Sequence, residues 1–196
     1  MNYNRDNALA TVRKYLSPDR VEHSLGVEKY AQKLAYMHLQ DVELCSAAGL
    51  LHDLARDQNN ETMLELAKQY RYPTDNIYEK YPGLLHGPAS AQLARQLLGI
   101  DNASVLSAIA NHTIPSERMS KMDRLIYIAD KLEESRSYPG VDALRMLSET
   151  DLEECYIAIV KHTIGYLMSN NQIIHPGTIW AYNNYIEDYK RVNIDK

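Results

Sequence analysis

Residues 41–54 read DVELCSAAGLLHDL, and this run decides the fold. Its middle is small and apolar, the composition of a buried helix packed closely enough to require Ala and Gly at the contacts. It ends in His52-Asp53. An imidazole beside a carboxylate at the end of a buried helix is costly to desolvate unless a metal or counter-ion satisfies the pair. Two consecutive residues at a helix terminus can diverge enough for the carboxylate to bridge two cations while the imidazole binds one. Both groups suit iron, manganese and zinc. As an isolated dipeptide His-Asp carries little information, so the surroundings have to supply the rest.

Working outward, the helical period persists. Leu9, Val12, Arg13 and Leu16 suggest a short first helix that stops at Ser17-Pro18, where Ser17 can cap a new helix and Pro18 can take its first turn. In that second helix His23, Val27, Tyr30, Ala31 and Leu34 share one stripe. Helical patterns follow at 61–70, 88–98, 103–111, 119–135, 141–148, 152–168 and 178–189, and strand-like alternation is nowhere sustained. Pro73, Pro82-Gly83, Gly87-Pro88, Gly99, Pro115, Pro139-Gly140 and Pro176-Gly177 punctuate these segments without forming a long linker. No internal repeat is evident. The expectation is an all-α protein, a single helical bundle around a buried metal site, occupying residues 1–196 as one domain with short helical extensions at both ends.

Composition narrows the function classes. A net charge of -5 in 196 residues argues against a surface built to neutralise a nucleic-acid polymer, while a small anion could still be held through metal. The N-terminus lacks the apolar run of a secretory signal and no segment has about 18 consecutive apolar residues, so no membrane partner is expected. Cys45 and Cys155 are far apart and sit among apolar residues as core cysteines do, which fits a cytoplasmic protein. Self-association as a homodimer is left open. No GxSxG elbow, Walker-type loop or GxGxxG fingerprint supports a different chemistry.

Four further residues join His52 and Asp53. His23 lies on an apolar helix face, where a hydrogen-bonded core histidine is the ordinary alternative. His86, in LLHGPASAQLA, is expected just before a small-residue helix, with a helix-entry cap as its alternative role. His112 ends AIANHT. Asp130 is embedded in RLIYIADKLEE among Ile126, Ile128, Ala129 and Leu132, where a salt bridge to Arg124 or Arg136 is the alternative to a metal. His38, His162 and His175 read as ordinary histidines, and Glu133-Glu134 as a solvated acidic face.

The segments RVEHSLGV, AAGLLHDLARD, LLHGPASAQLA, AIANHT and MSKMDRLIYIADKLEESRSYPGVDALR together resemble the HD-domain superfamily of metal-dependent phosphohydrolases. The His-Gly-Pro segment and the stretch from IYIAD to PGVDALR are similar, more narrowly, to its YqeK-like branch of symmetrical bis(5'-nucleosyl)-tetraphosphatases. The resemblance spans most of the chain. It implies that His23, His52, His86, His112 and Asp130 are terminal ligands of a two-metal centre that Asp53 bridges, with Asp53 and His52 at the catalytic core. Iron is the metal it implies, and manganese or zinc would suit the same ligands. The implied substrate is a dinucleoside tetraphosphate, split by activated water into two nucleoside diphosphates.

Arg56, Thr113, Arg118 and Arg136 are then candidate phosphate contacts, with a solvated or dipole-paired surface role as the alternative for the arginines. Tyr81 and Tyr138 are candidates to stack on a base, packing being their ordinary role. Two departures bear on substrate choice. After His112-Thr113 the chain runs Ile114-Pro115-Ser116-Glu117-Arg118 where the family often has glycine and then arginine, so Arg118 is expected to serve from a shifted position. Glu134 replaces a usual proline and adds negative charge near the phosphates. A nucleotidase acting on nucleoside di- or triphosphates and a nucleotide-binding regulator with little catalysis remain the competing readings.

Overall fold

The computed structural model describes the backbone of residues 3–74, 76–116 and 118–194, and side chains as far as Asp188. Among the described residues there are helices and no strands: α1 (Arg5–Tyr15), α2 (Pro18–Met37), α3 (Val42–Leu51), α4 (Asn60–Gln69), α5 (Asn76–Lys80), a 3-10 helix (Pro82–Leu85), α6 (His86–Leu98), α7 (Ala103–Asn111), α8 (Lys121–Leu132), α9 (Val141–Thr150), α10 (Leu152–Ser169) and α11 (Pro176–Ile194). No described helix is long and apolar enough to cross a membrane.

The run at 41–54 forms the centre. Asp41 caps α3 by accepting from the Leu44 N–H, and every residue from Cys45 to Leu51 is buried. The helix touches α1, α2, α6, α7 and α8. Its small residues let neighbours approach at backbone distance: a Cβ on Gly49 would lie 3.0 Å from the Glu28 Cα and 3.2 Å from the Ala31 Cβ. Any larger side chain there would push α2 away and drag His23 with it. Full burial of Leu50, Leu51 and Leu54 contributes roughly 1.5–3 kcal/mol each to holding the layers together.

Around α3, α2 packs on α8, α6 on α7 and α7 on α8, while α10 covers α8 and carries α9 and α11 outside it. Helix α8 starts in a capping box, Ser120 accepting from the Asp123 N–H while Asp123 accepts from the Ser120 N–H. Cys45 and Cys155 are both buried free thiols. A smaller cluster of Ala67, Tyr78 and Leu85 anchors α4, α5 and the 3-10 helix.

The structure differs from the sequence expectation in local detail. Ser17 stands at the start of α2 but its side chain makes no capping bond; its backbone N–H instead donates to Asp57 Oδ2 at 2.8 Å. The proline-marked stretch around residue 80 contains α5 and the 3-10 helix, each too short to show a 3.6-residue period. His86 does not precede α6; it is the first residue of it, with Leu85 at the cap position.

Candidate metal centre

The six residues singled out in the sequence arrive from five helices; five of them line one cleft of about 600 Å³, and the fully buried His52 lies against it, its Nε2 3.3 Å from that of His23. His23 comes from within α2, His52 and Asp53 from the end of α3, His86 from the first residue of α6, His112 from the end of α7 and Asp130 from within α8. Three of the histidines are placed by one local device. The Nδ1–H of His52 donates to the Gly49 carbonyl at 2.8 Å, that of His86 to Gly83 at 2.6 Å and that of His112 to Ile109 at 2.8 Å. Each imidazole thus folds back three residues onto a carbonyl left open at the end of its own helical segment. His23 lies mid-helix, where no such carbonyl is free, and its Nδ1–H donates to Glu133 Oε1 at 3.1 Å instead.

With every Nδ1–H committed, each ring, when neutral, presents its Nε2 lone pair to the centre. Those lone pairs converge: His86 Nε2 lies 3.0 Å from His112 Nε2, and His52 Nε2 lies 3.3 Å from His23 Nε2, which is 3.0 Å from Asp130 Oδ1. Asp53 divides its oxygens between the two groups. Its Oδ1 is 3.3 Å from His86 Nε2 and 3.5 Å from His112 Nε2, while Oδ2 is 3.8 Å from His52 Nε2. One Thr113 hydroxyl, 2.8 Å from His86 Nε2 and 3.1 Å from His112 Nε2, has a single proton for two lone pairs. Acceptors gathered at such distances need cations between them, and the donor set fits transition-metal ions. Among the described residues, His23, His52 and Asp130 form one group whose ligand atoms all lie within 4.8 Å of one another, and His52, Asp53 and His112 form a second.

The electrostatics agree. Burial drives the His52 imidazole down to about 4 and, with help from neighbouring His112, the His86 imidazole down to about 3, so both rings are neutral near pH 7. Burial also opposes charge on Asp53 and Asp130, but the surrounding imidazoles for Asp53, and Lys131 with His23 for Asp130, outweigh it and hold both carboxyls ionised. His23 is the exception. Burial pushes it down, yet Asp130 and Glu133 pull it above its ordinary value.

Around the ligands stands a cationic wall. Arg136 Nη2 donates to Asp130 Oδ1 at 2.7 Å, so the ion pair raised as the alternative role of Asp130 exists beside the histidines; Arg124 turns away to Glu153. Arg56, Thr113 and Arg136 line the cleft, whereas Arg118 is exposed and not part of the lining, and Glu117 lies outside the described residues. Glu134 also stays out, pairing with Lys29 on the surface. Glu133, read from sequence as solvated, is 2 % exposed and accepts from His23 and from the Ser135 N–H and hydroxyl. Arg20 and Lys131 were missed altogether. Arg20 reaches to 3.6 Å from Asp53 Oδ2 and pairs with Asp57 at 2.6 Å, and the partly buried Lys131 ammonium donates to Asp130 Oδ2 at 2.7 Å. A signal existed for Arg20, three positions before His23 on the same helix; a lysine adjacent to Asp130 gave none, because neighbours in a helix ordinarily diverge.

Comparison with known proteins sets this centre in a family. Residues 20–135 match the HD domain. The symmetrical bis(5'-nucleosyl)-tetraphosphatase of Bacillus subtilis is 34% identical over 92% of this chain and 96% of its own length, and that of Staphylococcus aureus is 31% identical over 98% and 100%. A crystal structure of a predicted HD superfamily hydrolase involved in NAD metabolism from Clostridium acetobutylicum superposes with a TM-score of 0.90 at 33% identity, covering 95% of this chain and 98% of that one. The chain belongs to the HD-domain family of hydrolases, whose members bind divalent metals.

Proposed function

We propose that this hydrolase splits dinucleoside tetraphosphates symmetrically into two nucleoside diphosphates at a two-metal centre. The observation that carries the proposal is the division of Asp53, whose two oxygens face two separate groups of imidazoles inside a cleft walled by Arg20, Arg56, Lys131 and Arg136. His23, His52, Asp130 and Asp53 would hold one cation, and His86, His112 and Asp53 the other. Iron is the proposed resident metal. Two metals held there would supply an activated water near neutral pH and positive charge to offset that building on the phosphate oxygens.

The chain's own residues do the positioning. The Nδ1 bonds fix ring orientation and tautomer, so each lone pair is pre-aimed. Lys131 on Asp130 Oδ2 stops that carboxylate from rotating and leaves Oδ1 facing His23. Arg20, Arg56 and Arg136 offer planar forks to phosphate oxygens, and Thr113 a hydroxyl, which explains how an acidic chain receives a polyanion. Arg118 has no part in this arrangement.

The test is to incubate the metal-loaded chain with diadenosine tetraphosphate and resolve the products. ADP alone is expected. AMP with ATP, or faster cleavage of ADP and ATP than of the dinucleotide, would overturn the proposal.

A further inference from the structure

Two cavities adjoin the cleft and extend beyond the metal centre, the second sharing Asp130 with it. Each has a volume of about 510 Å³, within the range of small-molecule sites. The first shares Thr113 and Lys131 with the cleft and continues past Leu84 and Leu167 to Gln172. The second shares Asp130, Lys131 and Arg136 with the cleft and continues to Tyr138, His162 and Tyr166. Each therefore adjoins one imidazole group. Thr113, at the mouth of the first, touches His86 and His112, while Arg136, at the mouth of the second, donates toward His23 Nε2 at 3.2 Å. Lys131 and Thr163 separate the two.

Both cavities carry π-faces beside polar groups. Tyr81, nearly half exposed, and buried Tyr127 line the first, where Gln172 and Asn171 supply amide edges. In the second the Tyr138 and His162 rings stack at 5.0 Å between centroids and a 35° tilt, the Tyr138 hydroxyl donating to the Lys131 carbonyl at 3.1 Å. An aromatic face backed by hydrogen-bonding edges suits a nucleobase, and stacking on such a face contributes about 1–3 kcal/mol per base.

We propose that these cavities are paired nucleoside subsites, one for each end of a single dinucleotide whose phosphate chain lies along the cleft between Thr113 and Arg136. This rests on the dinucleotide reading above and deepens it. With an anchoring place beside each imidazole group, the phosphate chain is held at both ends and the central bridging oxygen of a tetraphosphate is the one brought between the two groups.

Calorimetric titration of the manganese-loaded full chain with ADP tests this without turnover. Two ADP per chain are expected. Leu167→Trp, which fills the first cavity, and His162→Ala, which strips a ring from the second, should each reduce that to one while pyrophosphate binding is unchanged, and each should raise the KM for diadenosine tetraphosphate about tenfold. One ADP per chain in the unaltered protein, two retained in either variant, or a parallel loss of pyrophosphate binding would overturn the subsites. Two ADP bound without cleavage of the dinucleotide would leave the subsites standing and remove the proposed reaction. Symmetrical cleavage with one ADP bound would do the reverse.

Discussion

The two ends of the centre are built differently. At the His86–His112 end both rings are fixed by carbonyls three residues upstream, and a close backbone approach seats one helix on the other: a Cβ on Gly87 would lie 2.7 Å from the Ala110 carbonyl oxygen. At the other end His23 is held by Glu133, 110 residues away, and faces Asp130, which is itself gripped by Lys131 and Arg136. Local geometry sets the first end as soon as the helices dock. The second depends on side chains from α2 and the end of α8 finding one another, and on a balance of charge. Protonation follows how a ring is held: His86 and His52, on backbone carbonyls, are driven down to about 3 and about 4, while His23, between carboxylates, is raised.

Asp53 is the group on which both ends depend, so changing it should have the largest effect. Asp53→Asn keeps the shape and removes the charge facing both imidazole groups. Turnover of diadenosine tetraphosphate should fall by about 10³-fold or more, and metal analysis after gel filtration should find both metals depleted. Retention of one tightly held metal, with activity down only tenfold, would show that the ends are independent and that Asp53 does not join them.

The difference between the ends also decides what could be read from sequence. His52, His86 and His112 each occupy a helix boundary that glycine, proline or a change of period announces, and a histidine at a boundary is conspicuous. Asp130 betrayed itself by being acidic in an apolar stripe. Helix positions came through for the same reason, since α3, α6, α7 and α8 have long periodic or wholly apolar faces. The failures belong to contacts across the chain. Glu133-Glu134 looked like one solvated pair, yet the helix ends between them: Glu133 closes α8 with ψ 158° and turns inward, and Glu134 points out to Lys29. Arg118 looked like a displaced phosphate ligand because spacing was the only guide, and no one-dimensional pattern reports which side of a loop meets the cleft.

Acid should next distinguish the rings held by backbone carbonyls from His23, which is held by carboxylates. In the metal-free chain His52 and His86 stay neutral down to about 4 and about 3, while the unfolded chain takes up those protons below the ordinary value of 6.5. Between these limits the unfolded state binds more protons, so stability falls as pH falls. His23 has the opposite sign: its raised value adds stability that is fully present below 6.5 and is lost as pH rises through its folded value. Urea unfolding after chelation should therefore show stability decreasing from pH 6.5 toward 4.5 by on the order of 3 kcal/mol. A flat profile over that window would mean that the two rings already carry protons in the folded chain and are not poised as neutral ligands.

The smallest effect, and the most selective, is expected at Glu133. Glu133→Gln can still accept from His23 Nδ1, so the ring keeps its place, but the negative charge that would make His23 a better ligand is gone. Titration with manganese of the chelated protein should show one binding step weakened about tenfold, at the low end of what outer partners of ligating histidines contribute. The other step should be untouched, because His86 and His112 lean on backbone carbonyls that no side-chain replacement at Glu133 removes. Equal weakening of both steps would mean that the charge of Glu133 is felt across Asp53 by the whole centre, and the division into a locally built end and a tertiary end would then be one of geometry and not of energy.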